Sequence, residues 1–91
     1  MGAYDNCIIL IPALQPDERM IQLICGLHNL GFNKIAITDD GSSMNRQQYF
    51  QEAKSIGAWV MHHSKKMGKG EALRSTLRLA DEKIGESDFY I

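Results

Sequence analysis

The chain contains a short acidic segment whose residue types could bind a charged or hydroxylated ligand. Asp39 and Asp40 are followed directly by Gly41, Ser42 and Ser43. Adjacent carboxylates can accept hydrogen bonds from a nucleobase N–H group or from ribose hydroxyls. Gly41 permits a tight turn, and a serine can cap a following helix. Because Asp, Gly and Ser are also the commonest turn formers, an ordinary turn and N-cap is the alternative interpretation.

A second segment is basic and contains two glycines. Lys65, Lys66 and Lys69 lie around Gly68 and Gly70, directly before a predicted helix. Glycines let backbone N–H groups approach a phosphate, a helix N-terminus adds partial positive charge, and lysines neutralise the anion. A solvated run of lysines is the alternative interpretation. Neither the P-loop nor the dinucleotide-binding glycine pattern is complete here.

Histidine and cysteine give weaker signals. His62 and His63 are adjacent, so in an extended segment they point in opposite directions and do not readily share one metal ion. We expect them to be surface or supporting histidines. Cys7 and Cys25 form no C-x-x-C pair and are expected to be small buried side chains. No Ser-His-Asp or Cys-His arrangement is recognisable.

Length and composition limit the possible classes of protein. The chain has 91 residues, of which 44% are hydrophobic and 23% are charged, as in an ordinary globular domain. Its formal net charge of −1 argues against a nucleic-acid-binding protein, since such domains usually carry a clear basic excess. The longest apolar segment is too short to span a bilayer, and no signal peptide is recognisable. We therefore expect a cytoplasmic protein.

Hydrophobic periodicity predicts alternating strands and helices. Residues 7–11 are apolar at every position, which is typical of a strand covered on both faces. Pro16, Asp17 and Glu18 are typical of a helix start. The predicted strands cover residues 7–11, 34–38, 58–61 and 88–91, and the predicted helices cover 16–30, 46–56 and 70–84. In the third helix, the predicted inward stripe is Leu73, Thr76, Leu77, Ala80 and Ile84.

This β-α-β-α-β-α-β order predicts a three-layer, Rossmann-like α/β fold with a parallel sheet and helices on both faces. Ligands bind outside the carboxyl ends of the strands in such folds. Residues 12–15, 39–43 and 62–70 all follow predicted strand ends, so we expect one binding face there. Because the chain ends inside a predicted strand, we expect residues 1–91 to be a single truncated domain. Its exposed edge strand favours self-association.

Three ordered motifs can be compared with a known family. Residues 11–16 read Ile-Pro-Ala-Leu-Gln-Pro, residues 38–42 read Thr-Asp-Asp-Gly-Ser, and residues 63–74 read His-Ser-Lys-Lys-Met-Gly-Lys-Gly-Glu-Ala-Leu-Arg. Together they resemble the opening of the family 2 glycosyltransferases of GT-A fold, the group that includes dolichyl-phosphate mannosyltransferase-like enzymes. The resemblance covers essentially residues 7–91. Leu14, Gln15, Pro16 and Lys66 depart from the family's usual Tyr, Asn, Glu and Asn.

The resemblance implies the nucleotide-sugar-binding part of an enzyme that transfers a sugar from a UDP- or GDP-sugar to an acceptor. It implies that Asp40 contacts the base, that Asp39 shapes the loop or touches the ribose, and that Lys69 lies near the diphosphate. The implied binding residues are Pro12, Ala13, Leu14, Gln15, Asp39, Asp40, Gly41, Ser42, Gly68, Lys69 and Gly70.

The resemblance also implies a metal ion. In the family, Mg²⁺ or Mn²⁺ is bound by an Asp-x-Asp motif, and that motif and the catalytic base are expected beyond Ile91. The chain is therefore expected to hold no catalytic or metal-binding residue of its own and to be inactive in transfer when alone.

Two other functions stay open. A receiver-like signalling module also places an acidic pair at a strand end, although after the first strand and with a phosphoacceptor aspartate that the third strand here lacks. A sugar nucleotidyltransferase would need a glycine-rich loop after the first strand, and residues 12–17 contain no glycine.

Overall fold

Strands and helices alternate along the chain as predicted. The computed structural model describes residues 7–85 and 89–90. Residues 88 and 91 of the predicted fourth strand lie outside the described residues. The elements are β1 (Cys7–Ala13), α1 (Glu18–Asn29), β2 (Lys34–Asp39), a 3₁₀ turn (Met44–Arg46), α2 (Gln47–Ser55), β3 (Trp59–His62), α3 (Lys69–Lys83) and β4 (Phe89–Tyr90). The Cα radius of gyration of 12.3 Å is that of a compact domain.

The sheet is parallel, and its strand order is β3-β2-β1-β4. The order reverses at β1, because β2 and β3 lie on one side of it and β4 lies on the other. The β1–β2 register runs as far as Ala13 and Asp39, whereas the described pairing of β1 with β4 ends at Ile8 and Tyr90. Along the carboxyl half of β1, the β4 side therefore has no strand partner among the described residues.

Helices α1 and α2 pack on one face of the sheet. Alternate strand residues Ile9, Ile35 and Ile37 are buried there, because successive side chains of a strand project to opposite faces. The helices contribute the buried side chains Met20, Ile21, Ile24, Phe50 and Ala53.

Helix α3 packs on the opposite face. Ile8 and Ala36, which are the neighbours of the residues that face α1 and α2, are buried against Leu79 and Ala80 of α3. The two faces together give helix, sheet and helix layers, which confirms the three-layer α/β prediction.

The start of α1 differs slightly from the expected one. Asp17 is the N-cap, and its carboxylate accepts a hydrogen bond from Arg19 N at 2.9 Å. Pro16 therefore precedes the cap and does not lie in the first helical turn. Cys7 is buried as expected, but Cys25 is exposed on α1, so the prediction of two buried cysteines is wrong for Cys25.

The predicted inward stripe of α3 is wrong at two positions. Leu73 and Leu77 are 42% and 37% exposed. The residues that face the sheet are mostly small: Ala72, Ser75, Thr76, Leu79 and Ala80. Small side chains let a helix approach a sheet closely, and the larger leucines are left at the margin.

No helix within residues 7–85 and 89–90 combines the length and the apolar character needed to cross a membrane. The longest, α3, has 15 residues.

Two of the three leucines of α3, Leu77 and Leu79, test this packing when each is replaced by alanine. We expect Leu79→Ala to lower the free energy of unfolding by about 2–4 kcal/mol, since Leu79 is buried against the sheet. Leu77→Ala should lower it by less than about 1 kcal/mol. Urea denaturation of the two variants and the wild type measures both values. A larger loss for Leu77→Ala would mean that the predicted stripe, and not the observed one, faces the sheet.

Candidate functional site

The acidic pair at the end of β2 sends its two carboxylates to opposite faces of the sheet. Asp39 is directed toward α2, where Gln47 contacts it, and Asp40 is directed toward the segment before α3. The neighbouring strand follows the same alternation, because Asp39 and His62 are register partners. His62 consequently binds Asp39, and His63 binds Asp40.

Asp39 holds the loop between β2 and α2. Its Oδ1 accepts from Ser42 N at 2.7 Å, and its Oδ2 accepts from Gln47 Nε2 at 2.9 Å and contacts His62 Nδ1 at 2.8 Å. Burial of the carboxyl opposes ionisation, but the hydrogen bonds from Gln47, His62 and Ser42 outweigh it and lower the pKa of Asp39 below its usual value.

Asp40 holds the loop between β3 and α3. Its Oδ1 accepts from Met67 N at 2.9 Å and contacts His63 Nδ1 at 2.8 Å, and its Oδ2 accepts from Gly68 N at 3.1 Å. The hydrogen bond from Met67 N–H, followed by that from His63, lowers the pKa of Asp40. Its side chain is only 5% exposed, so the carboxylate is largely shielded by the loop that it binds.

Gly41 lets this loop cross the end of β2 at short range. Its φ is +80°, and a Cβ atom there would lie 2.5 Å from the carbonyl carbon of Lys65 and even closer to the backbone nitrogen of Lys66. Only a residue without a side chain fits under these two peptide units. The predicted tight turn is therefore also a close backbone crossing.

Gln15 connects the β1–α1 loop to the β2–α2 loop by hydrogen bonds. Its backbone N–H donates to Ser42 Oγ at 2.8 Å, and its side-chain Oε1 accepts from Ser43 N at 2.7 Å. Gln15 is the non-glycine residue with a positive φ among those described, at 51°. The two reciprocal contacts hold this unusual backbone conformation in place.

A cleft opens at the carboxyl ends of β1 and β2, beside the reversal of strand order. It has a volume of about 440 Å³. Its lining residues are Pro12, Ala13, Leu14, Asp40, Lys66, Gly68, Lys69 and Ala72. The β1 segment therefore forms an apolar wall, and the start of α3 and the preceding loop supply the lysines.

The predicted binding residues fall into two groups. Those that line the cleft are Pro12, Ala13, Leu14, Asp40, Gly68 and Lys69. The others, Gln15, Asp39, Gly41, Ser42 and Gly70, lie outside the lining. Asp39, Gln15 and Ser42 hold the surrounding loops, and Gly41 admits the crossing loop. The role of Asp39 in shaping its loop agrees with the geometry.

Lys66 and Ala72 line the cleft although they were absent from the predicted binding set. Lys66 lies in the basic segment whose charge predicted phosphate neutralisation, so its type carried a signal. Neither Lys66 nor Lys69 forms an ion pair with another described residue. Glu71, in the first turn of α3, is paired with Arg74 at 3.1 Å. No described carboxylate therefore neutralises the two lysine charges of the cleft by an ion pair.

His63 is outside the predicted binding set but contacts one of its members. Of the two expectations for it, a surface or a supporting histidine, the structure shows the supporting one, since its side chain is only 8% exposed. Its Nδ1 contacts Asp40 Oδ1 at 2.8 Å, and its Nε2 contacts Ser75 Oγ at 2.7 Å. The structure therefore brings together a carboxylate, an imidazole and a hydroxyl in an order that the sequence did not make recognisable.

The described residues do not offer a site for the metal ion that the family resemblance implies. They contain no group of three or more His, Cys, Asp or Glu side chains that could hold a metal ion. The Asp39 and Asp40 oxygens accept hydrogen bonds from N–H groups of the neighbouring loops, so neither carboxylate is presented as a free ligand.

The lowered pKa values of the acidic pair predict acid sensitivity. Both folded-state pKa values lie below the usual 3.8, so on acidification the unfolded chain takes up protons before the folded protein does. The stability that the two carboxylates contribute is complete above about pH 4 and is lost as the pH falls through their folded pKa values. Urea midpoints between about pH 7 and pH 2.5 measure this loss. It should be smaller in Asp39→Asn and Asp40→Asn, and an unchanged loss in both variants would contradict the prediction.

Gly41→Ala should destabilise the fold because of the crossing loop as well as the positive φ. We expect a loss of roughly 3–4 kcal/mol in the free energy of unfolding. Gly57→Ala is the matched control, since Gly57 has a φ of +102° but nothing within 4 Å of an added Cβ. It should lose only about 1–2 kcal/mol from backbone strain. Equal losses in urea denaturation would show that the crossing adds nothing.

Comparison with known protein families, with curated proteins and with solved structures finds no match. The fold itself is that of a small parallel α/β domain.

Proposed function

We propose that this chain binds the nucleoside diphosphate part of a UDP- or GDP-sugar in the cleft and forms the donor-binding part of a glycosyltransferase. The observation that carries the proposal is the convergence of Asp40, Lys66 and Lys69 on one cleft at the carboxyl ends of β1 and β2. A cleft of about 440 Å³ lies in the range typical of sites for small organic ligands.

The two lysines of the cleft lining suit a diphosphate. Lys66 and Lys69 supply two positive charges, and the first turn of α3 adds the partial positive charge of a helix N-terminus. Gly68 precedes this turn with a φ of +103° and has nothing within 4 Å of the position of an added Cβ. On the side of the missing side chain, the Gly68 backbone is therefore open to a phosphate group, whereas its N–H is bound by Asp40 Oδ2.

The Asp40 carboxylate suits a hydrogen-bond donor of the ligand. An ionised carboxylate offers about four acceptor positions, and three on Asp40 are used by Met67 N, Gly68 N and His63 Nδ1. About one position is left for an N–H group of uracil or guanine, or for a ribose hydroxyl. The lowered pKa keeps this carboxylate ionised, and thus an acceptor, at neutral pH.

The apolar wall completes the fit. Pro12, Ala13 and Leu14 line the cleft along the end of β1, and Leu14 is 42% exposed. A flat base or sugar ring can be covered by such a surface while the charged groups fix its ends. Binding and orientation of the donor are what these residues supply. Transfer of the sugar would require further groups to activate the acceptor and to stabilise the leaving diphosphate.

A titration of the isotope-labelled chain with UDP and with GDP tests the proposal. We expect saturable backbone amide shifts in residues 11–15, 39–43 and 66–72, larger with one of the two nucleotides. NAD serves as a control, because it also carries a diphosphate but joins two nucleosides through it. Shifts of the same size and pattern with NAD would reduce the site to a general phosphate-binding loop.

Three neighbouring lysines provide the matched variants. Lys66→Ala and Lys69→Ala should each weaken nucleotide binding about fivefold, as expected for the loss of one phosphate contact in an open cleft. Lys65→Ala changes the same charge in the same loop, but Lys65 is outside the cleft lining and should change affinity less than about twofold.

An equal loss of affinity in all three variants would indicate diffuse attraction by the basic loop and would contradict a specific site. Absence of any saturable shift in the folded wild type would overturn the proposed function for this chain.

A further inference from the structure

A chain of hydrogen bonds connects the cleft to the buried face of α3. Asp40 Oδ1 and His63 Nδ1 lie 2.8 Å apart, and His63 Nε2 and Ser75 Oγ lie 2.7 Å apart. All three residues are nearly buried: the side chains of Asp40 and His63 are 5% and 8% exposed, and Ser75 is 7% exposed. The order of the groups, carboxylate, imidazole and hydroxyl, is the same as in the catalytic triad of a serine hydrolase.

The arrangement does not present a nucleophile. Neither Ser75 nor His63 lines the cleft. Ser75 instead belongs to the residues of α3 that face the sheet. A bound ligand can meet Asp40 at the cleft surface, but not the serine hydroxyl at the other end of the chain. The three groups therefore act on the structure around the cleft and do not attack a substrate.

The effect of the chain reaches the ligand through Asp40. The carboxylate that His63 holds also accepts the backbone N–H groups of Met67 and Gly68. These two residues lie between Lys66 and Lys69, which are the cationic lining of the cleft. Rotation of the Asp40 carboxylate would release both amides and with them the loop that carries the lysines.

We propose that His63 is a positioning residue for the loop of residues 63–68 between β3 and α3, which it holds through Asp40. The expected effect of His63 on ligand affinity rests on the proposed function, whereas its expected effect on the loop does not. Ser75 supports this role, because its hydroxyl contacts the imidazole ring from the side of α3.

The hydrogen-bond partners determine the tautomer of His63. An ionised Asp40 only accepts hydrogen bonds, so the imidazole must carry its proton on Nδ1. In the neutral ring, Nε2 then accepts from the Ser75 hydroxyl. Both ring nitrogens are thereby satisfied inside the protein, which is what a buried imidazole requires.

Two substitutions separate the functions of the two ring nitrogens. In His63→Asn the amide nitrogen is attached to Cγ, as Nδ1 is, so a donor to Asp40 is kept and the contact with Ser75 is lost. In His63→Gln the amide lies one carbon further out, near the position of Nε2, and the donor to Asp40 is lost. His28→Gln is the matched control, because His28 lies near the end of α1 and outside the cleft.

The first readout is made without ligand. Amide hydrogen exchange at Met67 and Gly68 should be about tenfold faster in His63→Gln than in the wild type and in His28→Gln, and close to wild-type rates in His63→Asn. The amides of β1 serve as the reference for overall stability. Faster exchange of all amides alike would overturn the proposal, since it would show a general loss of stability and no specific release of the loop.

The second readout is nucleotide affinity. His63→Gln should weaken binding of the nucleotide that the wild type prefers by about fivefold, and His63→Asn by less than about twofold. Equal weakening by both variants would overturn the proposal. The two proposals can also fail separately. If the wild type binds no nucleotide, but Met67 and Gly68 still exchange faster in His63→Gln than in the wild type, the proposed function is overturned and the loop-positioning role is supported.

A measurement on the wild type keeps the proposal testable if the variants do not fold. Nitrogen chemical shifts of the His63 ring distinguish its two neutral tautomers. We expect the tautomer with the proton on Nδ1, and the opposite tautomer would exclude donation to Asp40 and overturn the proposal.

Discussion

The hydrogen bonds accepted by two adjacent carboxylates, Asp39 and Asp40, hold the loops at the carboxyl edge of the sheet. Because consecutive residues at a strand end project to opposite faces, this one dipeptide reaches the loop before α2 on one side and the loop before α3 on the other. The histidines at the end of β3 repeat the alternation, and each supports the carboxylate beside it. The loops on both faces of the sheet are thus held by the carboxyl end of the same strand, β2.

Burial of the two negative charges restrains the loops that bind them. A carboxylate shielded from water is tolerated only when it is well hydrogen-bonded, and each of these accepts three hydrogen bonds. A shift of either loop would leave a shielded charge without its donors. Gly41 adds a steric restraint, because the loop before α3 rests directly on its backbone. Because these restraints act without a ligand, they would reduce the entropy lost in the proposed binding of a nucleotide.

Local pattern was sufficient to predict the fold. The apolar run in β1 and the periodicity of α1 and α2 correspond to the observed elements, and the glycines after the helices mark their ends. The pattern failed in α3, where Leu73 and Leu77 suggested a stripe that the tertiary packing does not use. Close approach of the helix to the sheet favours small residues such as Ala72 and Ala80, and hydrophobicity alone does not report this preference.

The position of the candidate site was predictable from the sequence, but the contacts within it were not. The acidic and basic segments both follow strand ends, so their meeting at one edge follows from a parallel sheet. Whether an oxygen of Asp40 faces a ligand or an amide depends on the path of residues 63–68, and no local pattern encodes that path. The burial of His63 has the same origin, since the ring is enclosed by Ser75, which lies 12 positions along the chain.

The charges of the cleft also favour one orientation of the proposed ligand. Asp40 lines the same cleft as Lys66 and Lys69, and its carboxylate stays ionised. A fixed negative charge repels a phosphate group that approaches it, whereas an N–H group or a hydroxyl can use its remaining acceptor position. A nucleoside diphosphate therefore gains most when its phosphates lie at the lysines and its base or ribose lies at Asp40. The carboxylate that holds the loop in place would thus also disfavour the reversed orientation of the proposed ligand, so loop order and ligand orientation would depend on the same group.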